Sequence, residues 1–323
     1  MALESSVPAP SVVPESSGAQ SSGSSSQGQS IACALCGAND TERLYTKWGW
    51  GIERCRRCAL VYAHPRAPEH AILARYSRDY FWNEYLPAAG APGGHVDAEL
   101  YDRHHAPMLA LIKAHAPGAR RLLEVGTGAG LFLNAAARAG WQASGLELSN
   151  EGATFARERL GLDVRQERAE TMSFAPGTFD VAVMFDVIEH LFDPRAVLEA
   201  TRVALRPGGI LVVATPNFDA LSRFVLGPDW AVLSPLEHTY YYTERTLAAM
   251  LTACGFSRTH AVRRFAGWGP VETMNYRYTN APNTLRARLL AGLASIPGLP
   301  ALVARAGAAD ALIAVAEVND TRA

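Results

Sequence analysis

From residue 119 onward, apolar and polar positions alternate between two periods. Short apolar runs at Arg121–Gly126, Ala143–Glu147, Phe179–Phe185 and Gly209–Thr215 predict strands. Between them, Leu131–Ala139, Asn150–Leu160 and Pro194–Leu205 carry apolar residues at helical spacing. Strand and helix in strict alternation predict an α/β domain, a parallel sheet with helices on both faces. Thr243–Cys254 predicts a further helix, and Phe256–Arg264 and Ala311–Val318 two more strands. Upstream, Pro68–Tyr85 and Asp97–His115 read as helical, separated by the Gly/Pro-rich loop 88–94; Pro107 predicts a kink or a break in the second.

The pattern also divides the chain. Residues 1–30 are rich in Ser, Gly, Pro and Gln and are expected to form a disordered tail. Lacking Lys and Arg, they also lack the basic start of a secretory signal, so a cytoplasmic protein is expected. Residues 31–66 form a cysteine module, 67–118 a helical lid and linker, and 119–323 the α/β domain. An apolar insertion at about 266–308 reads equally as a substrate-side cap or as core packing. No run of about 18 apolar residues predicts a membrane span.

Four of the five cysteines are paired as Cys33-x2-Cys36 and Cys55-x2-Cys58. This spacing suits a tetrahedral four-thiolate zinc site, structural because no coordination position stays open. Cys254 sits in a helical pattern and is expected to be a buried apolar residue. The module carries six Lys/Arg against three Asp/Glu, but the chain has a formal net charge of -1. Nucleic acid is thereby disfavoured as a partner and a small-molecule substrate preferred.

The first strand runs into Glu124-Val-Gly126-Thr127-Gly128-Ala-Gly130, a turn that opens a helix. Glycines there permit a tight bend and close approach of a ligand to free amides. Glu147, at the end of the second strand, stands where a carboxylate accepts from a ribose diol. These two features alone serve NAD as well as any other adenosine-containing cofactor.

The segments LLEVGTGAG, GLELS, FDVAVMFDVIEHL and LRPGGILVVATPN, in that order, resemble class I S-adenosylmethionine-dependent methyltransferases, in the small-molecule branch with quinone O-methyltransferases and sugar methyltransferases. The resemblance implies a Rossmann-like seven-stranded sheet, here with a small N-terminal zinc-binding module, and S-adenosylmethionine as cofactor. It implies that Glu124, Gly126 and Gly128 border the methionine moiety and that Glu147 holds the ribose. Ala169 and Glu170 would flank adenine and Asp186 would lie near the sulfonium, with Thr127, Gly130 and Leu148 completing the set.

For the methyl acceptor, two histidine groups stand out. Glu237-His238 before Thr239-Tyr-Tyr-Tyr242 resembles a motif of sugar C-methyltransferases, which also begin with a cysteine module. By that likeness His238 is the general base, assisted by Glu237 and Tyr80, although a capping or packing histidine is the plainer alternative. Asp186-x-x-Glu189-His190 with His238 resembles the divalent-metal set of quinone O-methyltransferases; the alternative is that it only shapes the floor of the site. Tyr76, Tyr80, Phe81, Trp82 and Tyr85 form either a lid or the packing of the cysteine module. The expected activity is methyl transfer to carbon or oxygen of a small molecule, a sugar or natural-product intermediate. An rRNA methyltransferase with a zinc module is the alternative.

Overall fold

The structure is a computed structural model that describes residues 28–74, 76–262 and 284–319. The expected tail lies almost wholly outside them, as do residues 266–283 of the insertion. In chain order the elements are β1 Thr41–Lys47, β2 Trp50–Cys55, β3 Val61–Ala63, α1 Glu69–Leu73, α2 Arg78–Tyr80, α3 Leu86–Ala88, α4 Ala98–His115, β4 Arg121–Val125, α5 Leu131–Arg138, β5 Gln142–Glu147, α6 Asn150–Leu160 and β6 Asp163–Gln166. They continue with β7 Phe179–Phe185, α7 Pro194–Ala204, β8 Leu205–Pro216, α8 Leu221–Leu226, β9 Tyr240–Tyr241, α9 Glu244–Ala253, β10 Phe256–Ala261, α10 Leu285–Ala294, α11 Leu299–Arg305 and β11 Ala311–Val318.

Seven strands form the main sheet in the order β10-β11-β8-β7-β4-β5-β6. The five strands from β8 to β6 are parallel, and β11 runs antiparallel to both β8 and β10. The direction of winding reverses between β4 and β7. At such a switch point the connections leave in opposite directions and open a crevice at the carboxyl ends of the strands. Apolar side chains of β4, β7 and β8 fill a core on each face: Leu123, Met184 and Val213 on one, Leu122, Val183 and Val212 on the other.

The second sheet, β1-β2-β3-β9, is not confined to the cysteine module. Val61 and Tyr62 pair with Tyr241 and Tyr240, so the strand that completes it comes from the α/β domain, between α8 and α9. The module also starts earlier than Ile31, because Gln29 forms a bridge with Arg66.

Several local expectations are revised. Pro68–Tyr85 is not one helix: Ser77 accepts from the Tyr80 amide and starts a new helical turn, which continues as a single π turn at Phe81–Tyr85. Helix α4 passes through Pro107 unbroken. The carbonyl that Pro107 leaves without a donor belongs to exposed Arg103. Strand β6 has no apolar pattern because only Val164 is buried in it.

At the amino end of β7, Asp180 ties three strands together. Its carboxylate accepts from the backbone amides of Arg120 and Arg121 (2.9 Å each) and from the side chains of Arg121 and Arg206 (3.0 Å each). Burial alone would raise its pKa, but these four donors outweigh it and hold the carboxyl well below the ordinary range. A depressed pKa gives stability that is present above the unfolded value of about 3.8 and fades as pH falls below it. Asp180→Asn presents an amide to two backbone amides, and is expected to cost about 2 kcal/mol at pH 7. Thermal melts of both proteins from pH 7 down to pH 3 check this: the difference in Tm should narrow with acidification, and a constant difference would contradict the assignment.

Candidate functional site

A cavity of about 320 Å³ opens at the carboxyl ends of β4, β5 and β7. Its floor is the glycine turn. The amides of Gly126 and Thr127 donate to the Leu146 carbonyl (2.8 and 2.9 Å), which pins the turn to β5. The Gly128 amide donates to Glu147 Oε2 and the Ser149 amide to Oε1, both at 2.7 Å. The Ala129 amide donates to the Tyr85 hydroxyl at 3.2 Å. Glycine is required by close approach as well as by backbone angle. A Cβ on Gly126, whose φ is +77°, would lie 2.4 Å from Val187 Cγ2, and one on Gly152 would lie 2.8 Å from the Gly128 carbonyl oxygen.

Of the residues expected from sequence, Gly126, Gly128, Glu147, Leu148, Ala169, Glu170, Asp186, Tyr80 and His190 line the cavity. Glu124, Thr127, Gly130, Glu189, Glu237 and His238 do not. Glu124 is fully buried behind the turn, and burial together with the nearby Glu147 pushes its pKa well up. Glu124 Oε2 and Thr127 Oγ1 have no hydrogen-bond partner. Another wall is aromatic, with Tyr76, Tyr80, Phe81 and Tyr85 joined by Ile72 and Leu73. This segment packs on α6 through the edge contacts of Phe81 and Trp82 with Phe155. Of the aromatic run, all but Trp82 line the cavity. Ser149, Arg168 and Phe192 also line the cavity and were not singled out from sequence. Arg168 pairs with Glu69 and stacks over Phe192, whose amide donates to Glu170 (3.1 Å). Their places are set by the loops after β6 and β7, which carry no regular pattern.

The other end of the cavity is acidic and imidazole-rich. Asp186 ends β7 in the left-handed region (φ +53°), a strained conformation for a non-glycine residue. Burial and the adjacent Glu189 carboxyl raise its pKa to about 7, against the opposing pull of His190. Glu189 is pushed to about 7 by burial, although Thr215 Oγ1 donates to its Oε2 (2.9 Å). Its Oε1 has no hydrogen-bond partner among the described residues, with His190 Nε2 3.9 Å away.

Both histidines are oriented by backbone carbonyls. His190 Nδ1 donates to the Glu237 carbonyl (2.8 Å) and His238 Nδ1 to that of Val232 (2.7 Å). Each Nε2 therefore carries the lone pair. Burial lowers both pKa values, that of His238 to about 4, so both rings are neutral near pH 7. The rings lie 4.7 Å apart. One ligand atom each from Glu189, His190 and His238 falls within a 4.8 Å group; Asp186 stands outside it.

Away from the cavity, one sulfur from each of Cys33, Cys36, Cys55 and Cys58 also falls within 4.8 Å of the others. The closest pairs, Cys33–Cys58 and Cys36–Cys55, are 3.4 and 3.5 Å apart, too far for disulfides and near the roughly 3.8 Å edge of a zinc–thiolate tetrahedron. Cys254 is buried under α9. No helix among the described residues is long and apolar enough to cross a membrane.

Residues 93–261, slightly more than half of the chain, match the family model described as "Methyltransferase domain". Among curated proteins, the ubiquinone biosynthesis O-methyltransferase of Cereibacter sphaeroides is 32% identical over 119 residues, which are 35% of this chain and 48% of that protein. The protein of the same name from Xanthomonas campestris is 32% identical over 136 residues, 40% of this chain and 56% of that one. The chain thus spans about half the length of the curated relatives it matches. A SAM-dependent methyltransferase from Archaeoglobus fulgidus has the same fold, with a TM-score of 0.50 at 17% identity over 73% of this chain and 99% of that one. The chain therefore belongs to the methyltransferase-domain family, in its class I, S-adenosylmethionine-dependent form.

Proposed function

We propose that this protein methylates an oxygen of a hydroxylated small molecule, within the sugar and natural-product class that the sequence raised. The observation that carries the reading is the neutral His190 ring at the cavity wall, with Nδ1 anchored and Nε2 making no hydrogen bond among the described residues, 3.9 Å from Glu189 Oε1. S-adenosylmethionine supplies an electrophilic methyl group. The cavity fits it: Glu147 keeps lone pairs for a ribose diol beyond those facing Gly128 and Ser149, and Glu170 and Ala169 flank the space for adenine. Buried carboxyls at Asp186 and Glu147 favour a cationic ligand.

His190 Nε2 takes the acceptor's proton as the oxygen attacks. His238, expected from sequence as the base, sits behind the wall and acts as a neutral support for His190, while Glu237 orients it through its carbonyl. Tyr80 and its aromatic neighbours hold the acceptor and exclude water. The oxygen preference over carbon is supported by the O-methyltransferases among the relatives. A second reading rests on Glu189 Oε1, buried without a hydrogen bond and 3.9 Å from His190 Nε2: Glu189, His190 and His238 bind a divalent ion that orients the acceptor.

We also infer that the four cysteines hold a structural zinc. Burial pushes the Cys58 thiol up to about 11 and keeps Cys33 protonated, so four thiolates at this spacing require a cation.

Three outcomes are expected. Elemental analysis should find one zinc per chain, and Cys33→Ser or Cys55→Ser should release it and expose residues 28–66 to limited proteolysis; a folded, zinc-free protein would overturn the assignment. Glu147→Gln should weaken S-adenosylmethionine binding in calorimetry by roughly ten- to hundredfold at temperatures where the variant is folded, the loss of one or two hydrogen bonds to a charged group; its amide also meets the Gly128 and Ser149 amides, so Tm should fall, and unchanged affinity would remove Glu147 from the cofactor site. His190→Ala should lower kcat on a catechol or phenol panel by roughly 10²-fold or more while leaving cofactor affinity intact, with a smaller loss for His238→Ala. Equal turnover of His190→Ala would end its role as base. Loss of activity on dialysis against a mild chelator, with the cysteine zinc retained and Mg or Mn restoring turnover, would favour the second reading.

A further inference from the structure

Five of the eight large hydrophobic residues exposed among the described residues lie at one corner of the molecule. Phe224 is on α8, Leu285 and Leu289 on α10, Ile296 follows α10, and Leu302 is on α11. Helix α10 buries Ala287 and Leu290 against Phe218, Leu226 and Trp230. On its outer face Leu285 is 73% exposed and Leu289, one turn on, about half exposed; Ile296, just past the helix, is also about half exposed. A surface helix that is apolar on both faces lacks a partner for one of them.

The charge on α10 and α11 has one sign. Residues 284–309 contain Arg286, Arg288 and Arg305 and no acidic residue, although the whole chain carries a formal net charge of -1. All three arginines are exposed. Arg288 lies three residues after Leu285 and one before Leu289, within the exposed apolar stripe itself. Beyond the segment, Asp219 is exposed and Asp229 half-buried, while Asp310 is buried.

From this juxtaposition we propose that α8, α10 and α11 form a docking surface for an anionic membrane surface. Leucines and a phenylalanine standing out among arginines match the two demands of such a surface, apolar insertion at the acyl boundary and attraction to acidic headgroups. A second copy of the chain is disfavoured by the same charges, because a two-fold interface would set the arginines of one copy against those of the other.

The surface is tied to the end of the sheet that bears the cavity. Asn217, one residue past β8, donates through Nδ2 to the carbonyls of Gly307 (2.9 Å) and Ala309 (2.8 Å), and Ser222 on α8 bonds Asp310. Docking would therefore hold the carboxyl edge of the sheet next to the bilayer. The proposal does not rest on the identity of the methyl acceptor.

Vesicle co-sedimentation tests it with the full chain. The protein should pellet with phosphatidylcholine vesicles containing phosphatidylglycerol, poorly with phosphatidylcholine alone, and less as salt rises. Leu285→Ser/Leu289→Ser should abolish pelleting, and Arg288→Gln/Arg305→Gln should weaken it by roughly fivefold per arginine. Thermal melts and S-adenosylmethionine affinity should be unchanged in both, since these side chains touch neither the core nor the cavity. No pelleting with either vesicle, or pelleting that the variants leave unaltered, would overturn the proposal. So would a concentration-dependent dimer that Leu285→Ser/Leu289→Ser dissolves, which gives the face to a second copy. Protection of Leu285 and Leu289 from radical footprinting in the free monomer would also overturn it, because the chain would then cover its own face.

Discussion

The pairing of Val61 and Tyr62 with Tyr241 and Tyr240 is the contact on which the rest of the architecture turns. It is short, yet it makes a cysteine module and a distant loop parts of one sheet. The pairing is surrounded by buried rings: Tyr62 and Tyr240 lie 6.4 Å apart and share a core cluster with Cys33, Cys55, Leu123 and Ile188. On its other side, the amides of Thr239 and Tyr240 donate to the carbonyl of Glu189 (2.8 and 3.1 Å). The chain between His190 and its Glu237 anchor is thereby fixed at both ends. A ring nitrogen held on a backbone carbonyl is only as well aimed as that backbone, so the order of the cysteine module bears directly on the histidines.

Electrostatics and geometry pull against each other at the cavity. Glu124, Glu147, Asp186 and Glu189 are acids whose pKa values burial raises, and each would be cheaper to the fold as an apolar residue. Asp186 adds a strained backbone angle to that cost. Such an accumulation persists where a ligand or a reaction offsets it. By contrast, Asp180 at the opposite end of the sheet is surrounded by donors and stabilises the fold, which separates a structural carboxylate from the group at the site.

What was legible in the sequence follows from how strongly each position is constrained by local pattern. Strand β7 is buried along almost its whole length and reads as an apolar run, and the glycines at 126, 128 and 130 read by residue type because a left-handed turn needs them. Strand β6 has a single buried residue and β9 spans two, so neither leaves a periodicity to read. At the site, residue types were readable and their order in space was not. His190 and His238 are distant in sequence, and their Nδ1 anchors on Glu237 and Val232 decide which ring faces the cavity. No local pattern encodes that choice. The break at Ser77, which turns an expected helix into a cavity wall, depends on one side-chain cap competing with helix continuation.

The two parts of the chain outside the family match meet each other. Ile52 and Val61 of the cysteine module share one core cluster with Ala287 and Leu290 of α10, bridged by Phe218, Trp230 and Leu233. That bridging segment follows β8 and leads directly into His238. Within the matched half lie the glycine turn and six of the seven strands of the main sheet, all but β11. The residues on either side of it pack onto one segment inside it, so a change in the packing of Trp230 would reach the cysteine module, α10 and the stretch that leads to His238 together.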